Sequence, residues 1–258
     1  MIGEAALWGL LAGSSLVIGG VIGLRLGSGH HRTVGLLMGF GSGVLISAVA
    51  YELVEEAFKV SDGSAWTGVG LAVGALTYYG GDRMIHKHKP DAHKQDAPPR
   101  KSAGATHDVE DQESIVLGTV LDGIPEGIVL GMSLIAGGGA SIAIIAAVFL
   151  SNLPEAIGAT SGLRNGGRSA PSIIRMWMMI MLLTALASVA GLALFDDASG
   201  ELIAFIQSFA GGALLTMVAG AMLPAAYEDA GGKKKGGEVV GLLTVLGFAV
   251  AFGLTQLG

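Results

Sequence analysis

The chain contains no cysteine. Disulfides, thiolate metal sites and cysteine nucleophiles are therefore excluded, while the redox state of the compartment stays open. Charge is scarce too: Asp, Glu, Lys and Arg supply 14% of the 258 residues, against 51% hydrophobic residues and 43 glycines. With a mean hydropathy of +0.63, that balance argues against a soluble globular domain and places the chain in a membrane. The opening Met1-Ile-Gly-Glu4 lacks a basic leader, so no secretory signal is expected and the first apolar run is read as a true span. No histidine lies within an apolar run, and H-E-x-x-H does not occur. An intramembrane hydrolase is thereby disfavoured, and neither enzymatic activity nor a resident cofactor is expected.

What is present is a series of apolar runs matched to the roughly 20 residues that cross a bilayer. They are Ala5 to Leu24, Val34 to Val54, Ala65 to Met84, Ser114 to Gly137, Ala140 to Leu163, Ile173 to Leu194, Leu202 to Tyr227 and Val239 to Leu257. The runs are continuously apolar rather than alternating, which favours helices over barrel strands. The expected fold is all-α: a polytopic membrane protein with eight transmembrane helices. Residues 1–85 would hold the first three, 86–113 a cytoplasmic loop, 114–163 the central fourth and fifth, and 164–258 the last three.

Basic residues fix the expected orientation, because Lys and Arg accumulate in cytoplasmic loops. Arg25 and Arg32, then Arg83 through Lys101, then Arg164, Arg168 and Arg175, then Lys233, Lys234 and Lys235 all fall in alternate loops; Lys59 alone falls on the other side. Both termini are therefore predicted outside the cell membrane. The outer loops carry Glu55, Glu56 and Asp62, then Asp196, Asp197 and Glu201, which read either as a negative rim for a dilute cation or as ordinary solvated acids. The 86–113 loop mixes prolines and charges of both signs and holds His86, His88, His93 and His107. That composition suits a disordered linker, and also a loose binder of borderline metal ions.

Two stretches set the chain apart. Asp122-Gly-Ile-Pro-Glu126-Gly127 and Ser151-Asn-Leu-Pro-Glu155-Ala156 place a Pro-Glu pair in the fourth and in the fifth span, 29 residues apart. A carboxylate at membrane depth is costly and reads by default as part of an ion or substrate pathway. At about 1.5 Å per residue, Glu126 and Glu155 lie roughly 18 and 26 Å below the turn near Gly138. Asp122 shares a helix face with Glu126, and Ser151 with Glu155. Proline adds donors of its own kind. Pro125 and Pro154 have no N–H for the carbonyls of Leu121 and Leu150, which frees backbone oxygens at the level of the acids. Asp122, Glu126, Ser151, Asn152 and Glu155 together offer enough oxygens for a divalent cation, and their summed charge implies a second ion or partial protonation. Gly123, Gly127, Gly131 and Gly158 read as packing residues, and the methionines as apolar filler.

Phe40-Gly-Ser-Gly-Val-Leu45 in the second span also matches Phe209-Ala-Gly-Gly-Ala-Leu214 in the seventh, 169 residues on, and the match continues at Val49-Ala50 against Val218-Ala219. These spans would cross in opposite directions, which predicts an inverted repeat of the kind that places substrate at the midplane.

Taken together, the paired Pro-Glu motifs, the eight runs and the His-bearing third loop resemble the ZIP (Zrt/Irt-like) family of divalent-metal transporters. The resemblance implies a one- or two-metal site at Asp122, Glu126, Ser151, Asn152 and Glu155. It further implies a homodimer, and an elevator-like movement of the central helices against a scaffold holding the second and seventh spans. Glu52 and Glu55 would line the outer entrance, and Glu228 and Asp229 the inner exit; as span-end acids these four read equally as solvated interface residues. The motifs depart from the family pattern, since Asp122 and Ser151 stand where that pattern has histidine, and Gly123 where it has asparagine. An all-oxygen donor set suits Mn²⁺, Fe²⁺ or Mg²⁺ better than Zn²⁺. Two functions follow as expectations. One is a secondary transporter carrying divalent metal cations into the cytoplasm by alternating access. The other is a non-transporting protein of the same fold that binds a structural or sensed ion. Its partners would be the cation, the lipid bilayer and a second copy, not nucleic acid.

Overall fold

The computed structural model describes residues 1–26, 30–87, 123–135, 142–195, 198–231 and 236–256. Among these the chain is helical, with no strand. The helices are α1 (Ile2–Leu26), α2 (His31–Val60), α3 (Trp66–Lys87), α4 (Gly123–Met132), α5 (Ile142–Asn165), α6 (Ala170–Phe195), α7 (Gly200–Asp229) and α8 (Gly237–Thr255). Each falls on one of the apolar runs. Six of them, α1, α2, α5, α6, α7 and α8, are long and apolar enough to cross a membrane. The other two fall short for different reasons. α3 is diluted by Thr67, Thr77, Tyr78, Tyr79 and a charged last turn, whereas α4 is short as described and the start of its run lies outside the described residues. The loop histidines His88, His93 and His107, the acids Asp196 and Asp197, and Lys233 to Lys235 also lie outside them.

Local chemistry sets several helix ends. Ser199 caps α7 by accepting a hydrogen bond from the Leu202 N–H at 3.3 Å, which satisfies one of the four free donors of a helix start. After α5, Gly167 takes φ +88° and lets the Arg168 N–H reach back to the Leu163 carbonyl at 3.1 Å; a side chain would oppose that left-handed backbone. α2 runs on to Val60, six residues past the end of its apolar run, so Glu55 and Glu56 belong to a helix rather than to a loop.

The helices sort into two packed groups. In one, α1 lies between α5 and α6, and α4 packs on α6. In the other, α2 lies along α8, α3 along α7, and the C-terminal part of α7 against α2. The groups meet where α2 crosses α5: a Cβ placed on Gly41 would stand 3.2 Å from both the Leu150 carbonyl oxygen and the Ser151 Cα. Water drives little helix association inside a bilayer, so close backbone approach at small residues carries much of the packing.

The second group shows matched contacts. Gly247 of α8 lies against the carbonyl of Phe40, and Gly43 against that of Thr244, too close for any side chain. Gly74 of α3 lies against the carbonyl of Phe209, and Gly212 against that of Leu71, in the same way. Phe40 and Phe209, like Gly43 and Gly212, are pairs in the 169-residue offset. Both α2 and α7 also widen into a π-helical turn, at Val49–Val54 and Val218–Met222. The two turns begin on residues related by that same offset. Such turns are uncommon and concentrate at functional positions.

Candidate metal centre

α4 and α5 carry the Pro-Glu motifs, and the packing of both against α6 and α1 brings the motifs face to face. Glu126 is 2% exposed and Asn152 4% exposed. The Asn152 Nδ2 donates a hydrogen bond to Glu126 Oε2 at 3.0 Å, directly linking the two helices. A carboxyl group buried this deeply without such a partner would be costly. Glu155 is half-buried one helical turn from Asn152 on the same helix. α5 continues as a helix through Pro154.

Ser151 takes another course. It is buried, yet its Oγ donates to the Val148 carbonyl of its own helix at 3.1 Å. Sequence spacing pairs Ser151 with Glu155 on one face; the fold instead turns Asn152, three residues before Glu155, toward Glu126. Asp122 lies outside the described residues. Among the described residues, then, the centre consists of two carboxylates and one amide, and no group of three or more His, Cys, Asp or Glu gathers into a metal-holding cluster. Oxygen atoms dominate the set, which suits hard divalent cations.

α6 contributes neighbours that the motif pattern does not reveal. Thr184 is buried, with its Oγ1 3.1 Å from where a Cβ on Gly123 would be, and it donates to the Ile180 carbonyl at 3.1 Å. Ser188, one turn along, is fully buried and its Oγ has no hydrogen-bond partner. The only signal for either in the sequence is a hydroxyl within an apolar run. Apolar layers close the centre along both directions of the helices. Toward the α4–α5 connection, Val129, Leu130, Ile144, Ile145 and Val148 pack with Leu45, Val49, Leu53 and Leu214. In the other direction, Ile157 packs with Val34, Met38, Ala226 and Val240.

The four predicted pathway-end acids are not gathered with the central pair in any one cluster. Glu52 sits half-buried within the π turn of α2. Glu55 is exposed and paired with Lys59 at 2.8 Å, so the lone basic residue on the expected outer side partners an expected entrance acid. Glu228 is exposed at the end of α7. Asp229 beside it is almost enclosed, its side chain 6% exposed, with Oδ1 3.9 Å from Nδ1 of His31 at the start of α2. In the sequence His31 merely precedes the second apolar run, and only the fold gives it this neighbour.

No protein-family model matches the chain. It is 29% identical over 121 residues to zinc transporter ZupT of Escherichia fergusonii, a match that covers 46% of the chain and 46% of that protein. The chain thus spans about half the length of the curated relative it matches.

Proposed function

We propose that the chain is a divergent member of the ZIP family, a secondary transporter that moves divalent metal cations into the cytoplasm through Glu126 and Glu155. The observation that carries this reading is a buried carboxyl group, Glu126, held by Asn152 across two apolar helices, with Glu155 one helical turn from Asn152. Its partner is a neutral amide rather than a base, so the pair is not an ordinary buried salt bridge. Similarity to a protein described as a zinc transporter supports the substrate class. Asp122 and Ser151 complete the proposed donor set, with Mn²⁺ and Fe²⁺ ahead of Zn²⁺ because both motif histidines are missing.

Eight spans with outward termini remain the proposed topology, with 86–113 as a cytoplasmic loop and a homodimer as the assembly. The inverted repeat draws support from the two π turns, spaced by 169 residues, and from the glycine contacts that α2 and α7 make at Phe40 and Gly43 and at Phe209 and Gly212, pairs with the same spacing. Alternating access would use the boundary between the two helix groups, where Gly41 of α2 meets α5. Glu52 and Glu55 are the proposed entrance, and Glu228 and Asp229 the proposed exit. The non-transporting reading is favoured by one observation: Ser151, at the head of its motif, donates its hydroxyl proton to its own helix and has only neutral oxygen lone pairs to offer a cation.

Uptake into proteoliposomes tests the reading. The wild type should take up Mn²⁺ and Fe²⁺ in preference to Zn²⁺, Co²⁺ and Cd²⁺, and the double variant Glu126→Ala, Glu155→Ala should take up none. Unchanged uptake in that variant would remove Glu126 and Glu155 from the pathway; strong zinc preference would overturn the reasoning from donor chemistry.

A further inference from the structure

We infer that Asn152 is a two-faced positioning residue: its amide N–H holds Glu126 while no cation is bound, and rotation of the same amide presents Oδ1 to an arriving cation. This rests on the cation-binding reading of Glu126 and Glu155, and adds to it the identity of the group that exchanges with the ion.

The geometry is specific. Nδ2 of Asn152 stands 3.0 Å from Glu126 Oε2, and both side chains are buried. In this contact the amide nitrogen is the donor and the carboxyl oxygen the acceptor, and an amide N–H₂ offers no lone pair to a metal ion. In this arrangement Glu126 Oε2 is occupied by a donor where a cation would take its oxygen. The amide is planar, and its two arms are nearly equal in length. A half-turn about the Cβ–Cγ bond therefore exchanges Nδ2 for Oδ1 at almost the same point. That torsion is broad and roughly two-fold, so it opposes the turn little.

Among the described residues, no neighbour offers the same exchange. Ser151 donates to the Val148 carbonyl and Thr184 to the Ile180 carbonyl. Glu155 and Glu126, when ionised, are acceptors alone. Asp at position 152 would supply a ligand oxygen but would repel both acids in the cation-free centre; Leu would fill similar space and supply neither donor nor ligand.

The wild type itself gives the most direct test, because Asn152 and Asn165 are the only asparagines in the chain and Asn165 is exposed. In infrared difference spectra of the full-length protein labelled with ¹³C-asparagine, Mn²⁺ should shift the side-chain carbonyl band of Asn152. That shift should vanish in Asn152→Leu. Equilibrium dialysis should show Mn²⁺ binding weakened at least tenfold in Asn152→Leu and not weakened in Asn152→Asp. In uptake, Asn152→Asp should lower kcat severalfold without raising KM, because the ion is no longer exchanged for a hydrogen bond when it leaves. A purely structural role moves neither the band nor this split between kcat and KM. Mn²⁺ binding by the wild type without a band shift, or wild-type affinity in Asn152→Leu, overturns the inference and leaves the transport reading standing. Absence of any divalent-cation binding by the wild type overturns both.

Discussion

Replacing Glu126 by Gln and by Ala should separate its role in ion binding from its role in holding α4 to α5. Gln keeps the shape, and its Oε1 can accept the Asn152 N–H in the geometry now seen at 3.0 Å. Removing a charge from a site 2% exposed spares the protein its desolvation, so Glu126→Gln should melt at or above the wild-type temperature. Its uptake should nevertheless collapse. Losing one charged partner of a buried charge-to-charge contact costs about 2–5 kcal/mol, or roughly 30- to 4,000-fold in apparent affinity at about 1.4 kcal/mol per tenfold. Ala differs. It strands the buried Nδ2 of Asn152 without an acceptor, at about 1–3 kcal/mol, and leaves a void beside it. At about 2–4 °C per kcal/mol for a chain of this size, Glu126→Ala should melt roughly 5–10 °C below Glu126→Gln. Thermal unfolding in detergent and proteoliposome uptake measure the two effects separately. Wild-type uptake by Glu126→Gln would refute its role as a ligand, and equal melting of the Gln and Ala variants would refute the account of the hydrogen bond.

Three further outcomes are expected. Trp177 is fully buried against Gly20, and its Nε1 donates to Thr160 Oγ1 at 2.8 Å; Thr160→Val should cost about 1–3 kcal/mol by stranding the indole N–H, and in Trp177→Phe the same Val substitution should cost much less. Gly247→Ala and Gly74→Ala each put a methyl group into a backbone carbonyl at corresponding positions of the proposed repeat, so both should destabilise by about 1–3 kcal/mol and by similar amounts; melting curves in which one is neutral would break the correspondence. Lys59→Met frees Glu55 from an exposed ion pair and should leave the melting temperature unchanged within error, while raising cation uptake at low ionic strength, an increase that 0.5 M salt (about an order of magnitude above a low-salt buffer) should erase.

Much of the fold is legible in the chain because the bilayer imposes a simple rule. A run that must satisfy its own backbone in hydrocarbon becomes a helix, and each of the eight helices falls on an apolar run. The helix ends are less legible. α2 runs on through Glu55 and Glu56 because the Glu55–Lys59 pair and the continuing backbone ladder tolerate charge at the expected water boundary. The weaker apolarity of α3 is equally visible in its threonines and tyrosines. The Pro-Glu motifs identify Glu126 and Glu155 by cost alone, since neither acid would sit in an apolar run without a use. Which neighbour reaches Glu126 is a different matter. Ser151 and Asn152 are adjacent, and only the rotation of α5 about its axis, set by its packing on α1 and α2, turns one toward α4 and the other toward its own backbone. The same holds for Thr184 and Ser188, whose nearness to α4 depends on the glycine-mediated approach of α4 and α6, and for His31 beside Asp229.

The sequence by itself determined the helical class, the apolar runs, the Pro-Glu motifs and the 169-residue correspondence, since hydropathy, charge and spacing are properties of the chain taken in order. Tertiary structure alone decided that Asn152 holds Glu126, that His31 lies beside Asp229, and that the two π turns fall on corresponding residues. A hydrogen bond between α4 and α5 depends on how two helices are rotated and how closely their backbones approach, and those quantities emerge only when every helix has packed against the others.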